Sequence, residues 1–305
     1  QYWPYLFKGS RYADRLPIGK KEILEGFKYN TLRRFYKEWY RPDMMAVIAV
    51  GDFDVEKVEK VIKEKFAVGV MPSNPRKLGV YEVPDHKETR IAKVVDKEAS
   101  RTTIMLSYKH PKFKEKTMGD FRESMIHNLY NTMLNNRLEA LKKQADPPFS
   151  YGYTYYGSMA ETKDQYVSYA MVSDKGIERG IETLATENER VKRHGFTATE
   201  LERTKKDILR QMEQYYNERD KTESSNLAFN YVYNFLNESP QLGVEKEYEL
   251  YKQLLPTIKL DEVNILAKKW ITNGENLVVV IQAPEKEGVV MPEDDKIISI
   301  FKDIS

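Results

Sequence analysis

At 305 residues the chain has room for about two domains, and 41% hydrophobic with 31% charged residues is the make-up of a soluble globular protein able to bury a sizeable core. The net charge of +2 gives no global attraction to nucleic acid, membranes or strongly acidic substrates. The absence of cysteine excludes disulfides, thiol nucleophiles, iron–sulfur clusters and cysteine-ligated zinc, and leaves cytoplasm and bacterial periplasm equally compatible.

In chain order, QYWPYLFKGS is aromatic but lacks a basic stretch followed by an apolar core, so it is not read as a signal peptide. No apolar run reaches the roughly 18 residues that span a membrane. Lys20 to Phe27 predicts a short helix. Asn30 is placed to cap a second, in which Leu32, Phe35, Tyr36 and Trp39 recur at helical spacing until Pro42. Met44 to Val50 is a continuous apolar run of the kind found in buried strands. After the Gly51-Asp52 turn, Asp54 caps a helix with Val55, Val58, Val61, Ile62 and Phe66 on one face. A domain rarely begins with its most structured signal, so the stretch Ser10 to Asp54 predicts that the front of its domain lies outside this chain.

Ala67 to Asp85, with three prolines and two glycines, is predicted to be a linker. Arg90 to Asp96 and Arg101 to Tyr108 follow as strands. Thr117 then caps a long helix that Pro147-Pro148 ends. Phe149 to Gly157 and Gln165 to Val172 make an aromatic-rich strand pair. The helix Gly176 to His194 closes on Lys192, Arg193 and His194, with Gly195 at the left-handed position. Thr197 and Glu200 form a capping box for the next helix. A helical zone runs to about Leu236, then come helices at Val244–Leu255 and Asp261–Trp270, a buried strand at Leu277–Ile281, and a tail from Pro284 that reads as the start of a linker. Trp39 before Ala46–Val50 and Trp270 before Leu277–Ile281 stand in the same register, which suggests two copies of one α+β unit.

Few residues offer chemistry. His86, His110, His127 and His194 lack the one-turn pair spacing of a zinc site. There is no G-x-S-x-G elbow, Walker loop or G-x-G-x-x-G fingerprint. His127 stands alone on a helix, as a surface or core residue. The basic–aromatic stretches sit among acids and read as solvated helix faces, so nucleic acid is excluded as a partner, as is a membrane. FSYGYTYYGS stands out: Tyr151, Tyr153, Tyr155 and Tyr156 suit an ordinary sheet face or a surface that takes up an extended peptide.

The R-Y-A-x-R-L-P-I-G loop, the F-Y-x-x-W-Y-R-P helix end and the V-G-D turn of residues 11–66 resemble the pitrilysin/insulinase family of zinc metallopeptidases, the inverzincins. Looser similarity continues at Asn136-Arg137-Leu138, His194 to Leu201 and Leu255 to Val263, so the resemblance covers nearly the whole chain. It implies an α+β fold of two similar domains, each an antiparallel sheet with helices packed on it. Residues 1–70 would be the C-terminal part of the first, 71–88 a linker, 89–285 a second, non-catalytic domain, and 286–305 the start of an interdomain linker.

The family's H-x-x-E-H helix and second glutamate ligand lie upstream of this loop, and this chain contains none of them. Zinc is therefore expected in the parent enzyme and not in this chain, which alone is expected to be inactive. The resemblance implies a clamshell endopeptidase for peptides or oligopeptides, to which this chain gives chamber wall and lining. Its partners would be the peptide substrate and the remaining halves of the same protein or a homologous subunit. The alternative is a non-catalytic scaffold or partner subunit of the same family. The family's catalytic arginine–tyrosine pair, seven residues apart, is broken here, because Arg137 is followed at that spacing by Gln144. No catalytic or metal residue is assigned. Arg137, Tyr151 and Tyr153 are the expected substrate contacts.

Overall fold

The computed structural model describes residues 1–67, 69 and 71–304. Val68, Val70 and Ser305, which fall within the first-domain, linker and tail readings, lie outside the described residues. The chain divides into two compact units. One combines residues 1–14, 81–213 and 248 onward; the other combines 15–80 with 214–247.

The first unit is built on a five-stranded sheet of β1 (Arg90–Asp96), β2 (Thr102–Pro111), β3 (Tyr151–Ala160), β4 (Lys163–Val172) and β5 (Leu277–Pro284). Their order across the sheet is β1-β5-β2-β4-β3, so the last strand of the chain inserts between the first two. The sheet is mixed, where an antiparallel one is predicted: β1 runs parallel to β5, and every other pair is antiparallel.

Leu277 to Ile281 is buried throughout, because β5 has a strand on each side and cover on both faces. One face packs Ile104, Leu106, Tyr166, Ala170, Val279 and Ile281 against helices. The opposite face, at Ala92, Val278 and Val280, lies under Leu6 and Phe7 of the N-terminal segment.

That segment holds α1 (Trp3–Leu6), and the Phe7 ring lies tilted against those of Trp3 and Tyr12 at 4.5 and 5.6 Å. Lys109, buried at 1% exposure, donates to Leu6 O at 3.3 Å and Pro84 O at 3.2 Å. Burial brings its ammonium down to about 8.

The helices of this unit follow their sequence signals. In chain order, α2 (Lys21–Gly26), α3 (Tyr29–Trp39) and α4 (Val55–Phe66) precede β1 and belong to the second unit. The 25-residue α5 (Met118–Lys142) starts in a capping box: Thr117 Oγ1 accepts from Asp120 N at 3.2 Å, and Asp120 Oδ2 accepts from Thr117 N at 2.8 Å. Its buried stripe runs through Met125, Leu129, Met133 and Leu138.

The next helix, α6 (Ile177–His194), ends at Gly195 with φ +69°, where a Cβ would come within 2.6 Å of the Asn264 amide. Then α7 (Ala198–Asn217) begins at the expected box, with Glu200 N donating to Thr197 Oγ1 at 3.3 Å and Thr197 N to Glu200 Oε2 at 2.8 Å. The remaining helices are α8 (Ser224–Asn237), α9 (Val244–Leu254), α10 (Leu260–Trp270) and α11 (Asp294–Ile304). Residues 286–304, read as the start of a linker, thus carry a helix whose Ile297 and Ile300 enter the core.

The second unit is made of α2, α3, α4, α8 and connecting segments. Two expectations change here. Asn30 lies inside α3, whose N-cap is Lys28, because the helix begins two residues earlier, on Tyr29. Residues 45–50 form no strand. They carry no regular secondary structure and pair with nothing among the described residues, and Met45 and Val47 are exposed. A strand needs a neighbouring ladder to satisfy its peptide groups, and none is present. No hydrophobic side chain described in this unit is buried.

Candidate functional site

The site expected at Tyr151 and Tyr153 lies on β3, an edge strand of the sheet. Alternation places Tyr151, Tyr153 and Tyr155 on one face. Tyr153 packs 5.5 Å from Tyr151, 5.9 Å from Tyr155 in a stacked geometry, and 5.1 Å from Tyr169 of β4, its register partner. The row continues through Met105 and Val280 to Ala92, the part covered by the N-terminal segment. Tyr151 is 48% exposed and Tyr153 partly buried. Burial raises the Tyr153 and Tyr155 phenols, so they stay protonated donors at neutral pH. Gln165 Nε2 donates to Tyr155 Oη at 2.9 Å and holds that ring in place.

The other face of β3 is tied to α5. Asn135 Oδ1 accepts from Thr154 N at 2.6 Å, and Asn135 Nδ2 donates to Thr154 O at 3.1 Å. One side-chain amide thus satisfies both peptide groups of Thr154, as a neighbouring strand would. This blunts the exposed strand edge. The arrangement favours contact with a peptide through tyrosine faces over strand addition at Thr154.

Arg137 is held differently. Its Nε and Nη2 form a bidentate pair with Glu200 at 2.7 and 2.9 Å, Nη2 also donates to Gly195 O at 3.2 Å, and the guanidinium lies 4.8 Å over the Phe196 ring. The Arg137 hydrogen bonds hold the Glu200 carboxyl at about 2. Arg137 therefore joins α5 to the turn between α6 and α7. No hydrogen bond or ring contact among the described residues brings it to Tyr151 or Tyr153.

Three of the four histidines are packed, though His86 Nε2 is buried without a hydrogen-bond partner, and His194 is exposed in the last turn of α6. His110 Nε2 lies 3.1 Å from Trp270 O, and His86 Nδ1 lies 2.6 Å from Glu88 O. His127 sits in an aromatic box, 4.8 Å from Tyr156, 4.9 Å from Trp270 and 5.1 Å from Phe113. Burial, reinforced by Lys269, depresses it to about 4. Among the described residues no three His, Cys, Asp or Glu side chains converge to hold a metal ion. The described residues do not fit a zinc centre.

Sequence reasoning missed Asn135 and Tyr169. Asn135 acts across 19 residues of chain and carries no local signal. Tyr169 was within reach of a hairpin register, but a bulge after Ser158 shifts that register by one residue.

Comparison with known proteins decides the family. The Peptidase M16 inactive domain matches residues 26–208, more than half of the chain. The chain belongs to the peptidase M16 family. An M16 relative, the zinc protease PQQL-like of Arabidopsis thaliana, is 30% identical over 97% of this chain and 30% of its own length. The probable zinc protease PqqL of Escherichia coli is 26% identical over 88% of this chain and 28% of its own length. The chain spans about a third of the length of the curated relatives it matches.

Among solved structures, the first half of the periplasmic protease PqqL from Escherichia coli superposes with a TM-score of 0.87 at 22% identity, over 99% of this chain and 65% of that one. The ferredoxin protease FusC, in complex with Arabidopsis ferredoxin, superposes with a TM-score of 0.77 at 19% identity, over 98% of this chain and 33% of that one. Both likenesses concern the M16 fold.

Proposed function

We propose that this chain gives wall and substrate-contacting lining to a zinc-dependent endopeptidase that degrades peptides in an enclosed chamber, and that the zinc chemistry resides outside these residues. Family membership and the zinc-protease names of the relatives support the enzyme class. The tyrosine face of β3, an aromatic ladder with one half-exposed end on the sheet face away from the helices, is the observation that carries the contact role.

In this reading residues 1–70 are the back of a first domain, 71–88 a linker, 89–285 the second domain and 286–305 the approach to the next half. The exposed apolar run at 45–50 supports the first assignment, since it is a strand sequence awaiting a ladder. Tyr151 and Tyr153 stack on apolar or peptide groups of an extended substrate. A contact from Arg137 falls to its Nη1, because Nε and Nη2 are taken.

Two measurements test this. A labelled neutral, apolar extended peptide should bind the chain in fluorescence anisotropy, and Tyr151→Ala with Tyr153→Ala should weaken it at least tenfold. Undiminished binding by the double variant overturns the lining role. After dialysis the chain should hold no equivalent of zinc and cleave no peptide. One retained equivalent with chelator-sensitive hydrolysis overturns the assignment of the chemistry elsewhere.

A further inference from the structure

The second unit carries a cleft of about 800 Å³ between α3 and the segment around residues 72–76. Arg33, Arg34, Lys37 and Arg76 line it against a single carboxylate, Glu38. That excess of three positive charges is larger than the +2 of the whole chain, so the cleft concentrates a charge that the rest of the molecule balances. Glu38 is shared: it lies 2.8 Å from Arg76 Nη1 and 3.7 Å from Arg34 Nε. The Arg76 guanidinium is held 5.2 Å over the Trp39 ring, which positions it while leaving it 59% exposed.

Arg33 and Lys37 have no carboxylate partner among the described residues, since every ion pair at this cleft runs to Glu38 from Arg34 or Arg76. They stand four apart on α3, a like-charge spacing that destabilises an isolated helix. Such an arrangement is relieved by a bound anion.

The spacing selects the anion. Residues four apart on a helix are separated by about 6 Å along its axis. Alternate side chains of an extended peptide recur every ~6.6 Å on one side. Carboxylates at positions i and i+2 of an extended strand thus match Arg33 and Lys37, with Arg34 and Arg76 beside them. A compact phosphate reaches only one such position. We infer that this cleft binds an extended acidic peptide segment with carboxylates at alternate positions. The inference rests on the peptide-handling reading above and names the class of sequence that would be favoured.

The probe is a fluorescein-labelled peptide of alternating Glu and Ser, with a Gln–Ser peptide of equal length and inorganic polyphosphate as comparisons, all against the 305-residue chain. The Glu–Ser peptide should bind at least tenfold tighter than its Gln–Ser counterpart, and more weakly as salt rises. Arg33→Gln with Lys37→Gln should remove that preference, and Arg33→Glu with Lys37→Glu should transfer it to a Lys–Ser peptide. Arg203→Gln with Lys206→Gln, a second exposed basic pair on α7, should leave it unchanged. Equal affinity for the Glu–Ser and Gln–Ser peptides, an equal loss in the α7 control, or tighter binding of polyphosphate than of the Glu–Ser peptide overturns the inference. The apolar peptide that reports on Tyr151 and Tyr153 should be indifferent to Arg33 and Lys37. Failure of that peptide to bind the unaltered chain sinks the lining role alone, and absence of the acidic preference in the unaltered chain sinks this inference alone.

Discussion

The two units of this chain both carry amphipathic helices and reach different ends. In the first, apolar stripes on α5, α6 and α10 meet a sheet, and side chains as large as Tyr108, Tyr130 and Tyr166 are fully buried. In the second, α3 and α4 carry apolar stripes just as regular, yet Leu32, Phe35, Tyr36, Val61 and Phe66 remain exposed. Amphipathic helices form on local signals, and only a partner layer turns their apolar faces into a core.

The sharpest test sets one aromatic against another. Trp270 stacks on Tyr156 at 4.5 Å and Tyr166 at 5.4 Å and is 4% exposed. Trp270→Ala should cost about 3–5 kcal/mol in chemical denaturation. Phe35→Ala, at a side chain 52% exposed, should cost less than about 1 kcal/mol. Comparable losses would mean that the second unit is packed in solution.

Acid should strip the first unit by named steps. His127 is kept neutral by burial, so its contribution is whole above the unfolded value near 6.5 and is lost as pH falls toward about 4. That loss amounts to about 3 kcal/mol at most. His86 and His110 are lowered too, so the difference between wild type and His127→Phe, followed by Tm from pH 7 to 4, isolates this residue. An unchanged pH slope in the variant would assign the acid sensitivity elsewhere.

Glu200, held at about 2 by Arg137, acts lower on the scale. Its stabilisation is present above the unfolded carboxylate value and is lost as pH falls from there toward 2. Arg137→Gln should cost about 2 kcal/mol at pH 7 and flatten that acid limb. A variant that keeps the full limb would show that the Thr197 capping box alone holds the carboxylate.

The smallest effect on stability has a distinct signature. Asn135→Ala leaves the Thr154 peptide groups unpaired, at about 1–2 kcal/mol. It also opens the β3 edge, so sedimentation should show association that grows with concentration. A monomeric variant would place the protection of that edge outside Asn135.

Much of this was legible in sequence. The Thr117 cap and the Thr197–Glu200 box announce their helices because a cap is a contract between residues three apart. Leu277 to Ile281 and Ala46 to Val50 show the limit. Both are five-residue apolar runs behind a tryptophan, and only the first is a strand. The difference lies in β1 and β2, which flank it from residues far away in the chain. The tyrosines of β3 were visible as a composition, whereas their partner Tyr169 and the amide at Asn135 depend on a bulge and on a helix crossing, neither of which is written locally.

The place of β5 has a cost in time. Arg90 of β1 can find Val278 only after the 188 residues that separate them (278 − 90) have been made, since no earlier strand neighbours β1. At a synthesis rate of 5–20 residues per second the wait is roughly 10–40 s. During it β2, β3 and β4 can zip together as they emerge, while the surfaces meant for the central strand stay open. A nascent chain halted before Leu277 is therefore the species most exposed to aggregation and to chaperone capture.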